Sequence, residues 1–140
     1  MNYVLLDNKL NTKDFIRLRS SVGWGNISES QAAAGIKNSL LTVCVKYNDQ
    51  IIGMGRIVGD GVIICYLQDV VVLPDFQGNG IGKAIVERLL TFIKESGLPD
   101  TNIKAGLFSS KGKEEFYKKL GFNSRPNENR GAGMEMIMNL

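Results

Sequence analysis

The sequence predicts an α/β (α+β) domain whose mixed, mainly antiparallel sheet is flanked by helices. Two helical patterns come first, the hydrophobic period changes to two at Leu41, and a β-branched run at residues 68–73 leads through a glycine loop into an amphipathic helix. A strand, a helix and a further strand in series form a parallel crossover. We therefore expect one parallel pair of strands in a sheet that begins antiparallel.

The first two helices have recognisable N-termini. Residues 12–20 carry apolar side chains at helical spacing, with Thr12 as the expected N-cap. Ser28 and Gln31 fit a capping box for a second helix from Glu29 to about Ser39. These segments predict two short helices ahead of the sheet.

The strand patterns follow at short intervals. Predicted strands cover residues 41–46, 50–58, 61–66 and 68–73. Asn48-Asp49 and Gly59-Asp60-Gly61 supply turns between the first three. Those three strands should form an antiparallel meander.

The helix after the glycine loop has one apolar face and a defined end. Gly97 and Pro99 stop it, and its predicted buried face consists of Ile81, Ala84, Ile85, Leu89, Phe92 and Ile93. Beyond it we expect a strand at 103–108, a short helix at 111–120 ended by Gly121, and a final strand at 134–138.

Composition limits the class of protein. The 140 residues, 44% hydrophobic and 22% charged, predict a single domain over 1–140. No apolar run approaches the roughly 20 residues that span a bilayer, and the N-terminus lacks a signal pattern, so we expect a cytoplasmic protein with no membrane partner. A net charge of +3 is too small to indicate nucleic-acid binding.

Metal-ligating and redox residues are scarce. The chain has no histidine, which makes a metal site improbable. Cys44 and Cys65 sit inside apolar runs, and this placement favours buried, reduced thiols over a disulfide or a metal pair.

Gly78, Gly80 and Gly82 occupy alternate positions directly before the long helix. Glycines let successive backbone N–H groups approach an anion, and a helix N-terminus adds about half a positive charge. The loop lacks the Gly-Lys-Ser/Thr ending of a Walker motif, and no parallel βαβ pattern precedes it. It predicts a phosphate-binding loop, with a tight strand-to-helix connection as the alternative.

Two motifs resemble the GCN5-related N-acetyltransferase (GNAT) family. Gln77, Gly80 and Gly82 match its Arg/Gln-x-x-Gly-x-Gly/Ala acyl-CoA loop, and residues 115–122 are similar to its late Phe-Tyr-x-x-x-Gly-Phe signature. The resemblance extends from Leu41 onward. It implies an N-acetyltransferase that uses acetyl-CoA as cosubstrate and no metal, with direct attack by the acceptor amine in a ternary complex.

The resemblance also implies which residues hold acetyl-CoA. Main-chain groups of the valines would pair with the pantetheine and backbone N–H groups of the loop would meet the pyrophosphate, beside two strands that splay and a β-bulge before the loop. Ser110 stands where the family often has an asparagine. The implied set is Val70, Val71, Val72, Gln77, Gly78, Asn79, Gly80, Ile81, Gly82, Lys83, Ser110 and Tyr117.

Two residues are predicted to move protons. By the resemblance, Tyr117 is the acid that protonates the leaving thiolate. Asp69 is the predicted base, because a carboxylate directly before three valines is costly to bury unless it faces a cavity or has a partner. A structural Asp69 at a bulge, Gln68 or Glu29 as base, and a water chain are the alternatives.

The acceptor is the least determined feature. Residues 53–72 resemble the arylalkylamine (serotonin-type) branch of the family, which implies a small, possibly aromatic amine near Trp24, Tyr66 and Phe108. Alternatives are a protein N-terminal or lysine acetyltransferase, a non-catalytic acyl-CoA sensor, and a nucleotide-binding module. A homodimer is also expected.

Overall fold

The computed structural model describes all residues from 1 to 140, and the chain divides into two compact units, Met1–Leu107 and Phe108–Leu140. The first unit contains nine elements in chain order: β1 Val4–Asp7, α1 Thr12–Ser21, α2 Glu29–Lys37, β2 Leu41–Tyr47, β3 Gln50–Gly59, β4 Ile64–Val72, a 3-10 helix Pro74–Phe76, α3 Ile81–Ser96 and β5 Lys104–Gly106. The second contains α4 Glu114–Lys119. None of the helices is long and apolar enough to cross a membrane.

The sheet has five strands in the order β1-β2-β3-β4-β5, antiparallel except for the β4–β5 pair. This confirms the predicted meander and the parallel crossover through α3. Asn48 and Asp49, with φ of 47° and 61°, form the β2–β3 turn. The sequence analysis missed β1, which pairs with β2 from Val4–Lys46 to Asp7–Val43.

The prediction of separate strands at 61–66 and 68–73 is wrong, because both belong to β4. The strand begins only at Ile64. Before it, Asp60 Oδ1 accepts hydrogen bonds from the backbone N–H groups of Val62, Ile63 and Ile64 at 2.9, 2.7 and 3.1 Å. Leu67, 3% exposed, continues the alternation across the predicted gap.

The helices before the sheet begin with side-chain caps. Asn11, and not Thr12, caps α1, since its Oδ1 accepts the Asp14 N–H at 2.8 Å. Ser28 caps α2 as predicted, with its Oγ accepting the Gln31 N–H at 3.1 Å. Helix α2 ends at Lys37, two residues before the expected Ser39.

Apolar layers cover both faces of the sheet. On one face, residues of α1 and α2 pack in a cluster with Cys44, Met54 and Val71. Side chains alternate along β3, so its residues 53 and 55 face the other side, where α3 packs. The buried positions of α3 are Ile81, Ile85, Val86, Leu89 and Ile93; Ala84 and Phe92 are only partly buried. Both cysteines are buried and free, as predicted.

The second unit has little regular structure. Helix α4 is shorter than the predicted 111–120, and Gly121 follows it with a φ of 101°. The predicted strand at 134–138 is absent, since the sheet consists of β1 to β5 alone. In this segment, Met134, Met136, Ile137 and Met138 are 72–87% exposed.

Candidate active site

A β-bulge lies in the middle of β4. Met54 pairs with Val71 and Arg56 pairs with Gln68, so two residues of β4, Asp69 and Val70, oppose the single residue Gly55. Asp69 has a φ of 54°, in the left-handed region that Asp tolerates better than most residues. The structure therefore contains the bulge that the family resemblance led us to expect.

The parallel pair β4–β5 ends soon after it begins. The two strands pair only at Ile64–Lys104, Cys65–Ala105 and Tyr66–Gly106. From Leu67 to Val72, β4 has no strand partner on its β5 side. Main-chain groups of Val70, Val71 and Val72 that point to this side are available to an extended ligand, which could pair with them as a strand would.

The glycine loop connects β4 to α3 through left-handed residues. Gly78 and Gly80 have φ of 81° and 78°, a conformation that glycine adopts without steric cost. A Cβ at either position would have no protein atom within 4 Å, so the surface of the loop is open. Glycine is needed here for its backbone angle, and the open surface leaves room for a ligand.

The N-terminus of α3 has no side-chain cap and no acidic residue in its first turn. The other helices differ: α1 and α2 have capping side chains and acidic first turns, and α4 begins with Glu114 and Glu115. The first internal bond of α3 joins the Ala84 N–H to the Gly80 carbonyl at 3.1 Å. The amides of Ile81, Gly82 and Lys83 therefore remain outside the helical ladder and can donate to an anion.

Two amide side chains hold the loop against its own backbone. Gln77 Nε2 donates to the Val72 carbonyl at 3.0 Å, and Asn79 Nδ2 donates to the Phe76 carbonyl at 3.0 Å. The Lys83 ammonium lies 3.8 Å from Glu87 on the exposed face of α3. Gln77 and Asn79 thus shape the loop, while the Lys83 side chain pairs with Glu87 and does not cap the loop.

Asp69 is buried, and both of its carboxylate oxygens are used. Arg19 Nη1 donates to Oδ1, and Arg56 Nε donates to Oδ2 at 2.6 Å. The Asp69 side chain is 3% exposed, compared with 20% and 18% for the two arginines. The carboxylate has the charged partners that its burial requires.

The sequence analysis missed both arginines as site residues. Arg19 lies on α1, 50 residues before Asp69, and Arg56 lies on β3, 13 residues before it. The sequence does indicate that Asp69 has a cationic partner, because a buried aspartate is rarely found without one. Nothing local indicated which of the chain's cations would supply it.

Tyr117 belongs to the second unit and is packed between two rings. Its ring meets Phe116 edge-on at 4.9 Å and Phe122 edge-on at 5.8 Å. Burial raises the pKa of its hydroxyl above the ordinary value. The phenol therefore keeps its proton across the neutral range and can donate it.

The other predicted residues have varied surroundings. Ser110 is exposed in the turn before α4, where its carbonyl accepts from the Lys113 N–H at 3.0 Å. Trp24 lies over the Arg19 guanidinium, with the ring centroid at 5.6 Å. Phe108 is 55% exposed, and Glu29 is exposed in the first turn of α2.

Comparison with known proteins identifies the family. A profile of the acetyltransferase (GNAT) domain matches residues 38–124, more than half of the chain. The chain belongs to the GNAT family. This confirms the family resemblance, and the chain is accordingly an acetyltransferase of the GNAT type.

Individual GNAT relatives cover nearly the whole chain. An uncharacterized ycf52-like N-acetyltransferase from Prochlorococcus marinus is 32% identical over 137 residues, 93% of this chain and 74% of that protein. Histone acetyltransferase TAP1 from Glycine max is 31% identical over 129 residues, 84% of this chain and 54% of that protein.

A solved structure of a probable acetyltransferase supports the fold. A protein of unknown function from meticillin-resistant Staphylococcus aureus, described as a probable acetyltransferase, aligns with a TM-score of 0.86 at 28% identity. The alignment covers 98% of this chain and 100% of that chain. The predicted α/β architecture is thereby confirmed.

Proposed function

We propose that this GNAT domain transfers the acetyl group of acetyl-CoA to the primary amine of a small molecule, by direct attack in a ternary complex. The observation that carries the proposal is the uncapped N-terminus of α3 directly after the partnerless edge of β4. One feature suits a pyrophosphate and the other suits an extended pantetheine chain. Val70–Val72 and the loop 77–83 are the residues of the first unit that would hold acetyl-CoA, which supplies an activated thioester.

Main-chain donors of β4 would stabilise the charge that develops during transfer. When an amine attacks a thioester, negative charge accumulates on the carbonyl oxygen, and a fixed N–H group lowers the energy of that state. The bulge at Asp69 changes the direction of the following amides, and β5 no longer pairs with the strand at this point. We assign this role to the amide of Val72, because the Leu73 N–H bonds to the Ile52 carbonyl of β3 and the preceding amide of the strand points to the opposite, partnerless side.

Two proton movements complete the reaction. An alkyl amine with a pKa near about 10 is mostly protonated at neutral pH, so it must lose a proton before it attacks. The leaving thiolate then gains one, and the family resemblance assigns that proton to Tyr117. The role requires a protonated phenol at neutral pH, and the raised pKa of Tyr117 is consistent with that state.

The base has more than one candidate. Asp69 as base stays a prediction, and the two guanidinium groups on its oxygens favour a structural role. A water molecule or Glu29 would then take the proton from the amine, and Gln68, whose amide is not basic, could only orient such a water molecule. The pH dependence of Asp69 variants, described below, decides between these routes.

The acceptor class rests on the resemblance of residues 53–72 to arylalkylamine acetyltransferases. Trp24 lies over Arg19, which binds Asp69, so one aromatic ring is placed near the bulge of β4, where an aromatic acceptor would need it. The relative named as a histone acetyltransferase favours a protein lysine as the second candidate. Location in the cytoplasm and a homodimeric state remain predictions.

Thermal shift and thiol release test the proposal. We expect acetyl-CoA, but neither NAD nor ATP, to raise the melting temperature. Thiol release should then accelerate with members of a panel of small amines that includes aromatic ethylamines. Thiol release only with lysine-containing peptides would indicate a protein lysine acetyltransferase. Stabilisation by acetyl-CoA without thiol release for any acceptor would indicate a non-catalytic acyl-CoA sensor.

A further inference from the structure

The cluster Arg19–Asp69–Arg56 joins four elements at the bulge of β4. Arg19 comes from α1 and Arg56 from β3, and both donate to the Asp69 carboxylate. Arg56 Nη1 also lies 3.3 Å from the Gly35 carbonyl and 3.3 Å from Ser39 Oγ, at the end of α2. The bulge is therefore connected to both helices on that face of the sheet.

The aromatic side chains of the first helix and its loop limit the movement of the arginines. The guanidinium carbons of Arg19 and Arg56 each lie 5.8 Å from the centroid of Phe15, and Trp24 covers Arg19. The Arg19 carbonyl accepts the Trp24 N–H at 3.1 Å. Planar groups stacked in this way hold their donors in fixed directions.

The cluster stabilises an unfavourable backbone conformation at Asp69. Asp69 has a left-handed φ of 54°, which a residue with a Cβ adopts only at a cost in free energy. On the opposite face, Gly55 packs against Ile85 of α3, so the bulge is confined from both sides. The ion pairs with Arg19 and Arg56 stabilise this conformation.

We propose that Arg19 and Arg56 are positioning residues for acetyl transfer. They fix Asp69 in its left-handed conformation and thereby set the direction of the Val70–Val72 main-chain groups on the partnerless edge of β4. Asp69 acts through its backbone geometry, and its carboxylate serves as the anchor for the two arginines. This inference rests on the function proposed above.

The conservative variants Arg19→Lys and Arg56→Lys test the proposal. Each keeps the charge but loses the planar group that can donate in two directions. We expect kcat/KM for acetyl-CoA in thiol release to fall at least tenfold, because the main-chain groups that would hold the pantetheine and the developing oxyanion lose their direction. Arg88→Lys is the matched control, because Arg88 also donates to a carboxylate, that of Asp7, but away from the bulge.

A measurement on the free protein separates positioning from general instability. In amide hydrogen exchange, the segment 66–73 should exchange about tenfold faster in Arg56→Lys, while β2 and the body of α3 remain protected as in the wild type. Faster exchange throughout the chain, or wild-type exchange and wild-type kcat/KM in both lysine variants, would overturn the proposal.

Three substitutions at Asp69 distinguish a positioning role of this residue from a role as general base. Asn and Gly both tolerate a left-handed φ and Ala does not, so positioning predicts activity in the order Asp69→Asn, then Asp69→Gly, then Asp69→Ala, each with an unchanged pH profile. A defect in Asp69→Asn that disappears as the pH approaches the amine pKa would instead establish Asp69 as the base. If the wild type neither binds acetyl-CoA nor transfers acetyl groups, the proposed function fails, while the exchange data still decide whether the arginines hold the bulge.

Discussion

Gly55 of β3 and Ile85 of α3 approach each other so closely that a Cβ on Gly55 would lie 2.7 Å from Ile85 Cγ2. The same Cβ would lie 3.1 Å from Leu89 Cδ1. Ile85 and Leu89 are fully buried, and a Cγ2 methyl cannot move without its helix. This contact sets the distance between α3 and the bulged part of the sheet.

Gly55→Ala should therefore destabilise the protein by about 1–3 kcal/mol, the usual cost of an extra methyl group in a filled core. Chemical denaturation measures the change. Gly35→Ala is the control, because a Cβ in α2 would meet only Arg56 Nη1 at 4.0 Å. That substitution should be neutral or stabilise by up to about 1 kcal/mol; equal losses in the two variants would contradict the close packing.

Gly80→Asp should weaken acetyl-CoA binding at least tenfold, which is about 1.4 kcal/mol. The new carboxylate would stand at the N-terminus of α3 and repel the pyrophosphate, and calorimetric titration measures the affinity. Gly23→Asp controls for backbone strain, because Gly23 has the same φ of 78° and equally open surroundings. Unchanged affinity in a folded Gly80→Asp protein would place the cofactor elsewhere.

Tyr117→Phe should lower turnover on the order of 100-fold, because it removes the donated proton and keeps the ring. Acetyl-CoA affinity should remain near that of the wild type, and Tyr3→Phe is the control for loss of a hydroxyl. Parallel losses of affinity and turnover would indicate a packing role between Phe116 and Phe122.

The raised pKa of Tyr117 also predicts a pH dependence of stability. The folded state disfavours the phenolate, so its contribution is complete below the unfolded pKa of about 10 and is lost as the pH rises through the folded pKa. Unfolding midpoints between pH 9 and 11 should fall more steeply for the wild type than for Tyr117→Phe. Coincident curves would mean that the hydroxyl ionises as it does in the unfolded chain.

Asp60 should make the stability of the protein depend on pH in the acid range, where stability is lost as the pH falls. Hydrogen bonds from the backbone N–H of Val62, and then of Ile63 and Ile64, lower the pKa of its carboxyl group. Its contribution is present above the unfolded pKa of about 3.9 and is lost as the pH falls through the folded pKa. Asp60→Asn should make the unfolding midpoint depend less on pH below pH 4 than it does in the wild type. Equal slopes in the two proteins would contradict this prediction.

The sequence predicted correctly those elements whose interactions join residues close together in the chain. The Ser28 cap and the apolar face of α3 both depend on residues within a few positions of one another, and both appear in the structure. The glycine loop is similar, because its left-handed residues and the following helix are adjacent in the chain.

Features that need a distant partner could not be predicted in the same way. Asp69 was recognised as a carboxylate that burial would penalise, but the two arginines that bind it are brought to it by the packing of α1 and the pairing of β3. Residues 134–138 are mostly apolar, as in a strand, yet a strand also requires an adjacent edge with which to pair, and the segment itself does not specify one.

Because α3 has no side-chain cap, acetyl-CoA bound at its N-terminus would raise the free energy of unfolding. A pyrophosphate bound at this terminus would complete the hydrogen bonding of the first helical turn, so the ligand would become part of what stabilises the fold. At a free acetyl-CoA concentration 100 times Kd, the gain in unfolding free energy is about 2.7 kcal/mol. The lifetime of the protein against proteolysis should then rise and fall with the supply of acetyl-CoA.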